Sequence, residues 1–246
     1  MTPFPDGAPG ACPGATAPFL HLLHADEHLL VLNKPPGLLA VPGRGEDKQD
    51  CLSRRAQAQF ADALVVHRLD MATSGLMLMG RGEAMQRTLS QMFERRTVHK
   101  RYLAVVDGRL VPPADGCNDS NDSNDGGDSD GDGWGLIDLP IAVDWPRRPL
   151  RVIDAAHGKP SQTRWRALAF DAPSHSTRVE LEPVTGRSHQ LRVHLQALGH
   201  PILGDALYAP EAARARAPRL LLHAWTLRLA HPASGAALAF ECPPGF

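Results

Sequence analysis

The nonapeptide His67–Gly75, with the sequence HRLDMATSG, delivers one carboxylate, Asp70, into a turn between two apolar segments. A buried carboxylate destabilises a fold unless it is paired or used in chemistry. When ionised, such a group can act as a nucleophile or as a general base. The structural alternative is an aspartate that caps its own turn together with Thr73 or Ser74. The nonapeptide alone supports the two interpretations about equally.

Two other patterns contain residues typical of metal sites. The segment His24–His28 matches the H-x-x-E-H pattern of zinc peptidases, which need both histidines on one helical face. Here the segment joins two strand-like apolar runs, so a coincidence in a histidine-rich chain is favoured. The segment Asp128–Gly133 begins like a calcium loop, but Leu139 occupies the twelfth position, where a bidentate acid should lie. Neither pattern predicts a dedicated metal site.

Motifs for cofactors and for activated nucleophiles are missing from the sequence. There is no G-x-x-x-x-G-K-[ST], no strand-linked G-x-G-x-x-G, and no serine or cysteine in a recognisable nucleophile turn. We therefore expect no cofactor. The cysteines form no C-x-x-C pair, which fits a reducing cytoplasm without disulfides or zinc. They are Cys12, Cys51, Cys117 and Cys242.

Apolar periodicity predicts a chain in which strands outnumber helices and rarely alternate with them. Helical spacing occurs in Ser53–Phe60, Glu83–Arg96 and Arg187–Ala197. The predicted strands are Phe19–His24, Leu29–Asn33, Leu64–Val66, Leu76–Met79, Tyr102–Val106, Gly135–Ala142, Ser161–Phe170, Thr177–Glu182, Leu220–Ala230 and Ala236–Glu241. This order predicts an α+β fold with a mixed, mostly antiparallel sheet rather than a doubly wound one.

The formal net charge of −1 conceals an uneven distribution. The segment Asp115–Gly133 holds seven aspartates and no Lys or Arg, so the rest of the chain has 26 basic and 20 acidic residues, a balance of +6. A nucleic-acid partner is therefore compatible with the composition. The acidic segment consists of turn-forming residues without apolar periodicity, which predicts a solvated loop. The Pro-rich and Gly-rich segment Met1–Pro18 predicts a disordered tail rather than a signal peptide.

Basic residues also cluster in two places. The first cluster contains Arg87, Arg95, Arg96, Lys100 and Arg101, opposed only by Glu94, and the second contains Arg147, Arg148 and Arg151. Such clusters are usually only a solvated face. On a protein that binds RNA they would contact phosphates and position the substrate without selecting its sequence.

Four segments, in order along the chain, resemble the signatures of the RluA family of RNA pseudouridine synthases. The nonapeptide His67–Gly75 resembles the family's H-R-L-D-x-x-T-S-G signature. The others are Leu32–Leu38 (LNKPPGL), Lys100–Gly108 (KRYLAVVDG) and Gly186–His194 (GRSHQLRVH), the last followed by Gly199–Asp205. Three shorter stretches resemble the dual-specificity branch of the family, which modifies 23S rRNA and tRNA: Val41–Arg44, Asp144–Pro149 and Ala217–His223.

The resemblance covers roughly residues 19–246. It implies one catalytic domain with the pseudouridine synthase fold and a central catalytic cleft, interrupted by the acidic segment 115–133. A loop between two strands can lengthen in this way at small entropic cost.

The resemblance implies a role for each matching residue. Asp70 is similar to the catalytic aspartate, Tyr102 to a tyrosine that packs on the target base, and Arg192 to the arginine that pairs with the catalytic carboxylate. Arg68 is similar to the side chain that enters the RNA stack in place of the flipped uridine. The remaining expected substrate-binding residues are His67, Arg187, Gln190 and Leu191.

Without the resemblance, the same residues have simpler interpretations. Tyr102 would be a strand aromatic in the core, and Arg192 a surface arginine on an amphipathic helix. Lys34 is expected to support its Pro-Pro-Gly turn rather than to take part in chemistry.

The implied reaction breaks the N1–C1′ glycosidic bond of a uridine, turns the base and rejoins it through C5. It needs no redox change, which agrees with the absence of cofactor motifs. The uridine must first leave its stack, at a cost of a few kcal/mol. Asp70 then attacks C1′ or removes a proton from C2′, and the sequence supports both roles. Burial favours the neutral acid, and the guanidinium of Arg192 opposes that effect.

The expected protein is therefore an isomerase of RNA that acts in the cytoplasm as a monomer, without metal or membrane. The implied targets are uridine 32 of the tRNA anticodon stem-loop and uridine 746 of 23S rRNA. The alternatives are a family member with a different RNA target, an RNA-binding module without catalysis, and the zinc peptidase class.

Deletion of Asp115–Gly133 tests the role of the acidic segment. Because its carboxylates repel phosphates, the deletion is expected to leave catalysis intact and to tighten RNA binding slightly at low salt, where screening is weakest. Titration of labelled RNA at low and high salt measures the effect. Weaker binding after the deletion would contradict the prediction.

Overall fold

The computed structural model describes residues 20–111 and 133–246. The predicted tail Met1–Pro18 lies outside the described residues, as do Cys12, Cys117 and the acidic segment except Gly133. The calcium-like pattern within that segment is outside them for the same reason.

Within the described residues the chain forms four α-helices, twelve β-strands and one short 3-10 turn, Glu46–Lys48. The helices are α1 (Leu52–Gln59), α2 (Gly82–Glu94), α3 (Gln190–Ala197) and α4 (Glu211–Arg214). The strands of the first half are β1 (Leu22–Ala25), β2 (Leu29–Lys34), β3 (Ala63–Val65), β4 (Ser74–Arg81) and β5 (His99–Asp107). Those of the second half are β6 (Gly135–Asp138), β7 (Ile141–Val143), β8 (Arg151–Ile153), β9 (Gln162–Asp171), β10 (Ser176–Pro183), β11 (Leu222–Ala230) and β12 (Ala237–Glu241).

Ten of these strands form one sheet. Eight run in the order β1-β2-β4-β11-β5-β10-β9-β6, while β3 pairs with β4 and β12 with β11. Of the strand pairings in the described residues only β4–β11 is parallel, with Ser74 opposite His223 and Gly75 opposite Ala224. The strands β7 and β8 form a separate hairpin. The predicted α+β class with a mixed, mostly antiparallel sheet is confirmed.

The structure differs from the predicted elements in three places. The predicted strand Gly135–Ala142 is two strands, β6 and β7, because Pro140 cannot donate a ladder hydrogen bond and the chain leaves β9 after Asp138. Helix α3 begins at Gln190 rather than at Arg187, since His189 has a left-handed backbone with φ 60°. The elements β8 and α4, with three and four residues, are too short to show periodicity.

Two hydrophobic clusters hold the sheet. One lies between β2, β4 and the helices α1 and α2, with Leu30, Met77 and Leu89 at its centre. The other lies between β5, β10 and α3 and includes Leu181 and Leu195. Full burial of each such side chain contributes about 1.5–3 kcal/mol to folding. The ring of Tyr102 packs against both clusters, so β5 marks the boundary between the two halves of the sheet.

The parallel contact between β4 and β11 requires a glycine. Gly75 has φ 109°, and a Cβ atom at this position would lie 2.3 Å from the carbonyl oxygen of Ala224. Only a residue without a side chain lets the two backbones approach so closely. The last residue of the His67–Gly75 signature therefore serves the sheet, next to the loop that carries Asp70.

Gly75→Ala is expected to lower the free energy of unfolding by about 1–3 kcal/mol more than Gly199→Ala does. Both glycines have a left-handed backbone, but a Cβ atom on Gly199, with φ 82°, would meet nothing within 4 Å. The control variant Gly199→Ala thus has the strain of a left-handed backbone but no steric clash of the new Cβ atom. Urea denaturation of the two variants measures the difference, and equal losses would refute the close-approach explanation.

Candidate active site

Asp70 lies in the loop between β3 and β4, in the wall of an open cleft of about 780 Å³. Its side chain is 22% exposed, and its backbone carbonyl accepts a hydrogen bond from the amide of Thr73 (3.1 Å). Ser74, the other expected capping partner, directs its hydroxyl to Nδ1 of His223 (2.8 Å). The carboxylate of Asp70 faces Arg192 and His189 instead. A backbone hydrogen bond thus closes the turn, and the carboxylate of Asp70 takes no part in capping it.

All eight residues that the sequence predicts for the site line this cleft. They are His67, Arg68, Asp70, Tyr102, Arg187, Gln190, Leu191 and Arg192. They come from the β3–β4 loop, from β5, and from α3 with the segment that leads into it, so both halves of the sheet contribute to one site.

Arg192 is held by Asp205 and presents its remaining nitrogen to Asp70. Its Nε and Nη2 donate to the two carboxylate oxygens of Asp205 (2.8 and 2.6 Å), while Nη1 lies 3.5 Å from Oδ2 of Asp70. The side chains of Arg192 and Asp205 are 4% and 0% exposed. Burial alone would lower the pKa of Arg192, but the two carboxylates outweigh it and raise the pKa above its ordinary value. Arg192 is therefore a permanent cation beside Asp70.

Asp205 itself is fixed by the backbone that follows it. Its Oδ1 accepts hydrogen bonds from the amides of Leu207 (2.9 Å) and Tyr208 (3.2 Å). The sequence motif Gly199–Asp205 contained this residue, but nothing in the motif indicated that its partner is the arginine 13 residues earlier. Only the fold brings the two side chains together.

His189 is a second neighbour of Asp70 that sequence reasoning did not identify. Its Nε2 lies 3.9 Å from Oδ1 of Asp70, and its Nδ1 lies 2.6 Å from the hydroxyl of Tyr208. Burial lowers the pKa of His189, so the imidazole is neutral near pH 7. The hydroxyl of Tyr208 accepts the amide hydrogen of Arg151 (2.9 Å) and can donate its own proton to Nδ1. When Tyr208 donates to Nδ1, the hydrogen of the neutral ring is on Nε2, the atom that lies 3.9 Å from Oδ1 of Asp70.

Tyr102, on β5, brings a protonated phenol to the cleft. Burial, with the negative charge of Asp70 as a smaller cause, raises the pKa of Tyr102 well above its ordinary value. The aromatic ring packs against both hydrophobic clusters and also lines the cleft. Tyr102 is therefore a rigid, neutral surface beside Asp70.

Lys34, the last residue of β2, supports the loop that carries Asp70. Its ammonium group is fully buried and donates to the carbonyls of Pro35 (2.9 Å), Leu38 (2.8 Å) and Met71 (3.0 Å). Burial lowers the pKa of Lys34 to about 8, and the charge of Asp70 opposes that shift. Because Met71 follows Asp70, the lysine connects the Pro-Pro-Gly turn to the loop that carries Asp70. This agrees with the expectation that Lys34 supports its turn.

His67 and Gln190 line the cleft but use their polar atoms within the protein. Nε2 of His67 accepts the amide hydrogen of Leu78 (2.9 Å), and the ring stacks on Phe93 at 4.5 Å between centroids. Burial lowers the pKa of His67 to about 3, so the ring is neutral.

The amide of Gln190 has four hydrogen-bond partners. It donates to the Gln162 carbonyl (2.8 Å) and the Thr163 hydroxyl (2.9 Å), and it accepts from the Thr185 hydroxyl (2.7 Å) and the Arg187 amide (3.0 Å). These four contacts use both N–H donors and both lone pairs of the side-chain amide. Gln190 organises the first turn of α3 and leaves no free polar atom for a substrate.

Cationic side chains surround the same cleft. Arg68 and Arg187 are exposed, and two members of the first basic cluster, Arg96 and Lys100, are part of the lining. Another member, Arg101, is bound to the buried carboxylate of Glu180 (2.9 Å). The arginines of the second cluster lie on and next to the tip of the β7–β8 hairpin.

The H-x-x-E-H pattern lies on the end of β1 and the turn after it, not on a helix. There Asp26 accepts hydrogen bonds from Nε2 of His24 (2.8 Å) and from the backbone amide of His28 (2.7 Å). The two histidines therefore lack the shared helical face that the zinc peptidase pattern needs. In the described parts of the chain, no helix has the length and apolar character needed to cross a membrane.

The known proteins that this chain resembles are RNA pseudouridine synthases. The family model for RNA pseudouridylate synthase matches residues 28–197. The dual-specificity RNA pseudouridine synthase RluA of Escherichia coli (strain K12) is 44% identical over 229 residues, which cover 93% of this chain and 95% of that protein. RluA of Pasteurella multocida is 42% identical over 231 residues, or 94% of this chain and 96% of that protein. The solved structure of human RNA Pseudouridylate Synthase Domain Containing 1 has a TM-score of 0.70 and 27% identity, covering 96% of this chain and 87% of that chain.

Lys34→Met is expected to lower the free energy of unfolding by about 2–4 kcal/mol, because the buried carbonyls lose a charged donor. Lys48→Met, at an exposed lysine in the 3-10 turn, is the control and should change stability by less than about 0.5 kcal/mol. Guanidinium denaturation measures both. Equal stability of the two variants would contradict the clamping role of Lys34.

Proposed function

The chain belongs to the RNA pseudouridylate synthase family and is an RNA pseudouridine synthase, and we propose that it has dual specificity, with one target in tRNA and one in 23S rRNA. The similarity to RluA of Escherichia coli spans 93% of this chain and 95% of that protein. That relative is named a dual-specificity RNA pseudouridine synthase. By resemblance, the targets are uridine 32 in the tRNA anticodon stem-loop and uridine 746 in 23S rRNA. The enzyme is an isomerase, since it rearranges a nucleoside without adding or removing atoms.

We propose Asp70 as the catalytic residue. The observation that supports this most directly is the placement of its carboxylate in the cleft, 3.5 Å from Nη1 of Arg192 and close to Tyr102. Asp70 acts either as nucleophile at C1′ or as base at C2′, and both roles require the ionised form. The fixed positive charge of Arg192 stabilises that form in a partly buried site. Because Asp205 already immobilises Arg192, little reorganisation is needed during the reaction.

Tyr102 and Arg68 are proposed to handle the base. The neutral ring of Tyr102 offers a flat apolar surface on which a flipped uracil can stack. Arg68 is exposed and precedes Asp70 by two residues, so the side chain that would fill the vacated RNA stack shares a loop with the catalytic carboxylate. Entry of Arg68 into the stack and approach of Asp70 to the sugar are then geometrically coupled. The few kcal/mol that flipping costs are offset by these contacts.

The other cleft residues are proposed to position these groups or the RNA backbone. His67 and Gln190 hold the two walls of the cleft through their internal hydrogen bonds, and Leu191 supplies an apolar side chain to its lining. Arg187 is exposed at the rim, where a guanidinium can meet a phosphate.

We further propose that residues 19–246 act as one monomeric unit in the cytoplasm. Support for a monomer comes from the composition of the cleft, to which a single chain contributes aspartate, tyrosine and arginine from both halves of the sheet. The two described cysteines, Cys51 and Cys242, are buried free thiols, which is compatible with a reducing compartment.

Asp70→Asn is expected to reduce pseudouridine formation by at least about 1,000-fold, since an amide is neither a nucleophile nor a base. Asp47→Asn, at an exposed aspartate of the 3-10 turn, is the matched control and should retain wild-type activity. Both variants are assayed on tRNA and on 23S rRNA fragments by mapping of pseudouridine. Undiminished product with Asp70→Asn would refute the assignment of the catalytic residue.

The same mapping on total RNA from a strain that lacks the gene tests the dual specificity. Loss of pseudouridine is expected at one position in tRNA and one in 23S rRNA, with both restored by the wild-type gene but not by Asp70→Asn. Loss in only one class of RNA would reject dual specificity, and loss in neither would reject both targets.

A further inference from the structure

The tip of the β7–β8 hairpin exposes a tryptophan outside the catalytic cleft. Trp145 has 68% of its surface exposed, the highest value among the large apolar side chains in the described residues. No residue of the hairpin is part of the cleft lining. An exposed indole at the tip of a short hairpin adds nothing to the core, and tryptophan is enriched at contact sites because it joins a large apolar ring to a polar N–H.

The tip of the hairpin is a turn closed by hydrogen bonds. Asp144 is buried and accepts hydrogen bonds from the amide of Arg147 (3.2 Å) and from its Nε (2.7 Å). The backbone closes the turn through bonds from Asp144 to the Leu150 carbonyl (3.1 Å) and from Leu150 to the Arg147 carbonyl (3.0 Å). The turn therefore fixes the backbone from which the Trp145 side chain extends.

The guanidinium of Arg148 packs on the indole ring of Trp145. Its guanidinium carbon lies 3.5 Å from the centroid of the Trp145 ring, a stacked geometry. A planar guanidinium covers one face of a ring and leaves the other face available. A second planar group that adds to this free face would complete a three-layer stack.

The charge at the tip favours an anionic partner. Arg147, Arg148 and Arg151 lie within five residues, and the one acid of the turn, Asp144, is already neutralised by Arg147. The side chain of Arg147 remains largely exposed. A flat apolar ring among guanidinium groups suits nucleotides, which combine a planar base with a phosphate.

Two hydrogen bonds connect the hairpin to His189, a neighbour of Asp70. Arg151, opposite Val143 in the hairpin, donates its amide hydrogen to Tyr208, whose hydroxyl lies 2.6 Å from His189. His189 in turn lies 3.9 Å from Asp70. Trp145 is two residues beyond Val143, a distance of at most about 7 Å along the chain. The hairpin is thus bonded to Tyr208 and through it to His189 in the cleft wall, while Trp145 lies outside the cleft.

We propose that Trp145, backed by Arg148, stacks on an unpaired base of the RNA substrate that flanks the target uridine. This inference rests on the proposed function, because it assigns a second contact for the same RNA. Stacking on an aromatic ring tolerates any base, since every base has a π-face. Such a contact suits an enzyme with two RNA targets, because it holds both without requiring the same nucleotide at that position.

The first experiment measures the binding and modification of an anticodon stem-loop RNA. Trp145→Ala is expected to raise the dissociation constant and KM by about 5- to 100-fold, with kcat at saturating RNA within about twofold of wild type. Trp145→Phe, which keeps an aromatic face, should remain within about threefold of wild type. Leu23→Ala, at an exposed leucine on β1, is the matched control for loss of an exposed apolar side chain and should bind like wild type. Circular dichroism verifies that each variant is folded.

The second experiment identifies the stacked base with wild-type protein. The loop nucleotides other than the target are replaced one at a time by abasic sites. One position is expected to weaken wild-type binding about as much as Trp145→Ala does, and the two changes together should cost no more than either alone. Full additivity at every loop position would overturn the proposal.

Other outcomes separate this inference from the proposed function. If Trp145→Ala binds RNA with the dissociation constant and KM of the wild type and forms pseudouridine normally, the stacking contact is refuted. The proposed function is not affected by that result. A change in sedimentation of Trp145→Ala without a change in RNA binding would assign the tip to a protein interface and also refute the contact. Failure of the wild-type protein to form pseudouridine in either RNA would instead refute the proposed targets, whatever the binding constants.

Discussion

The buried pair of Arg192 and Asp205 is the interaction on which the active site depends. Both groups are nearly inaccessible to water, and isolated charges in that environment would cost several kcal/mol each. The bidentate geometry and the two backbone amides on Asp205 satisfy the pair. The pair fixes α3 against the segment that follows it. It also leaves Nη1 of Arg192 facing Asp70, so the same buried pair stabilises the fold and places a positive charge beside that carboxylate.

The loop that carries Asp70 is held from two sides by different physical means. On one side the ammonium group of Lys34 binds the carbonyl of Met71, and on the other Arg192 faces the carboxylate. Next to the loop, Gly75 allows β4 to meet β11 in the sheet's one parallel pairing among the described strands. The carboxylate is therefore placed by buried polar contacts and by backbone packing, while its own oxygens stay free of the turn. This arrangement provides the preorganisation that electrostatic catalysis requires.

Basic residues line the cleft that holds Asp70, but not all basic residues near it are available to a substrate. Arg68 and Arg187 are exposed in the cleft lining and Lys100 is part of it, whereas Arg101 is bound to the buried Glu180. Counting basic residues along the chain thus overstates the cationic surface, because some arginines neutralise internal acids. The proposed contact at Trp145 would extend the binding surface beyond the cleft. A sequence-tolerant contact of this kind is compatible with more than one RNA target.

The sequence by itself determined the fold class, the order of most elements and, through the resemblance of its four motifs, eight of the residues that line the cleft. Hydrophobic periodicity reports which face of a strand or helix is buried, and the four motifs mark where chemistry-bearing side chains occur. It did not determine which polar groups meet. The pairing of Arg192 with Asp205, the approach of His189 to Asp70 and the internal hydrogen bonds of His67 and Gln190 join residues from separate elements. The left-handed backbone of His189 and the break at Pro140 also depend on where the chain must turn to pack. Side-chain type and spacing are local properties, whereas the partner of a buried polar group is chosen by the tertiary packing that brings distant segments together.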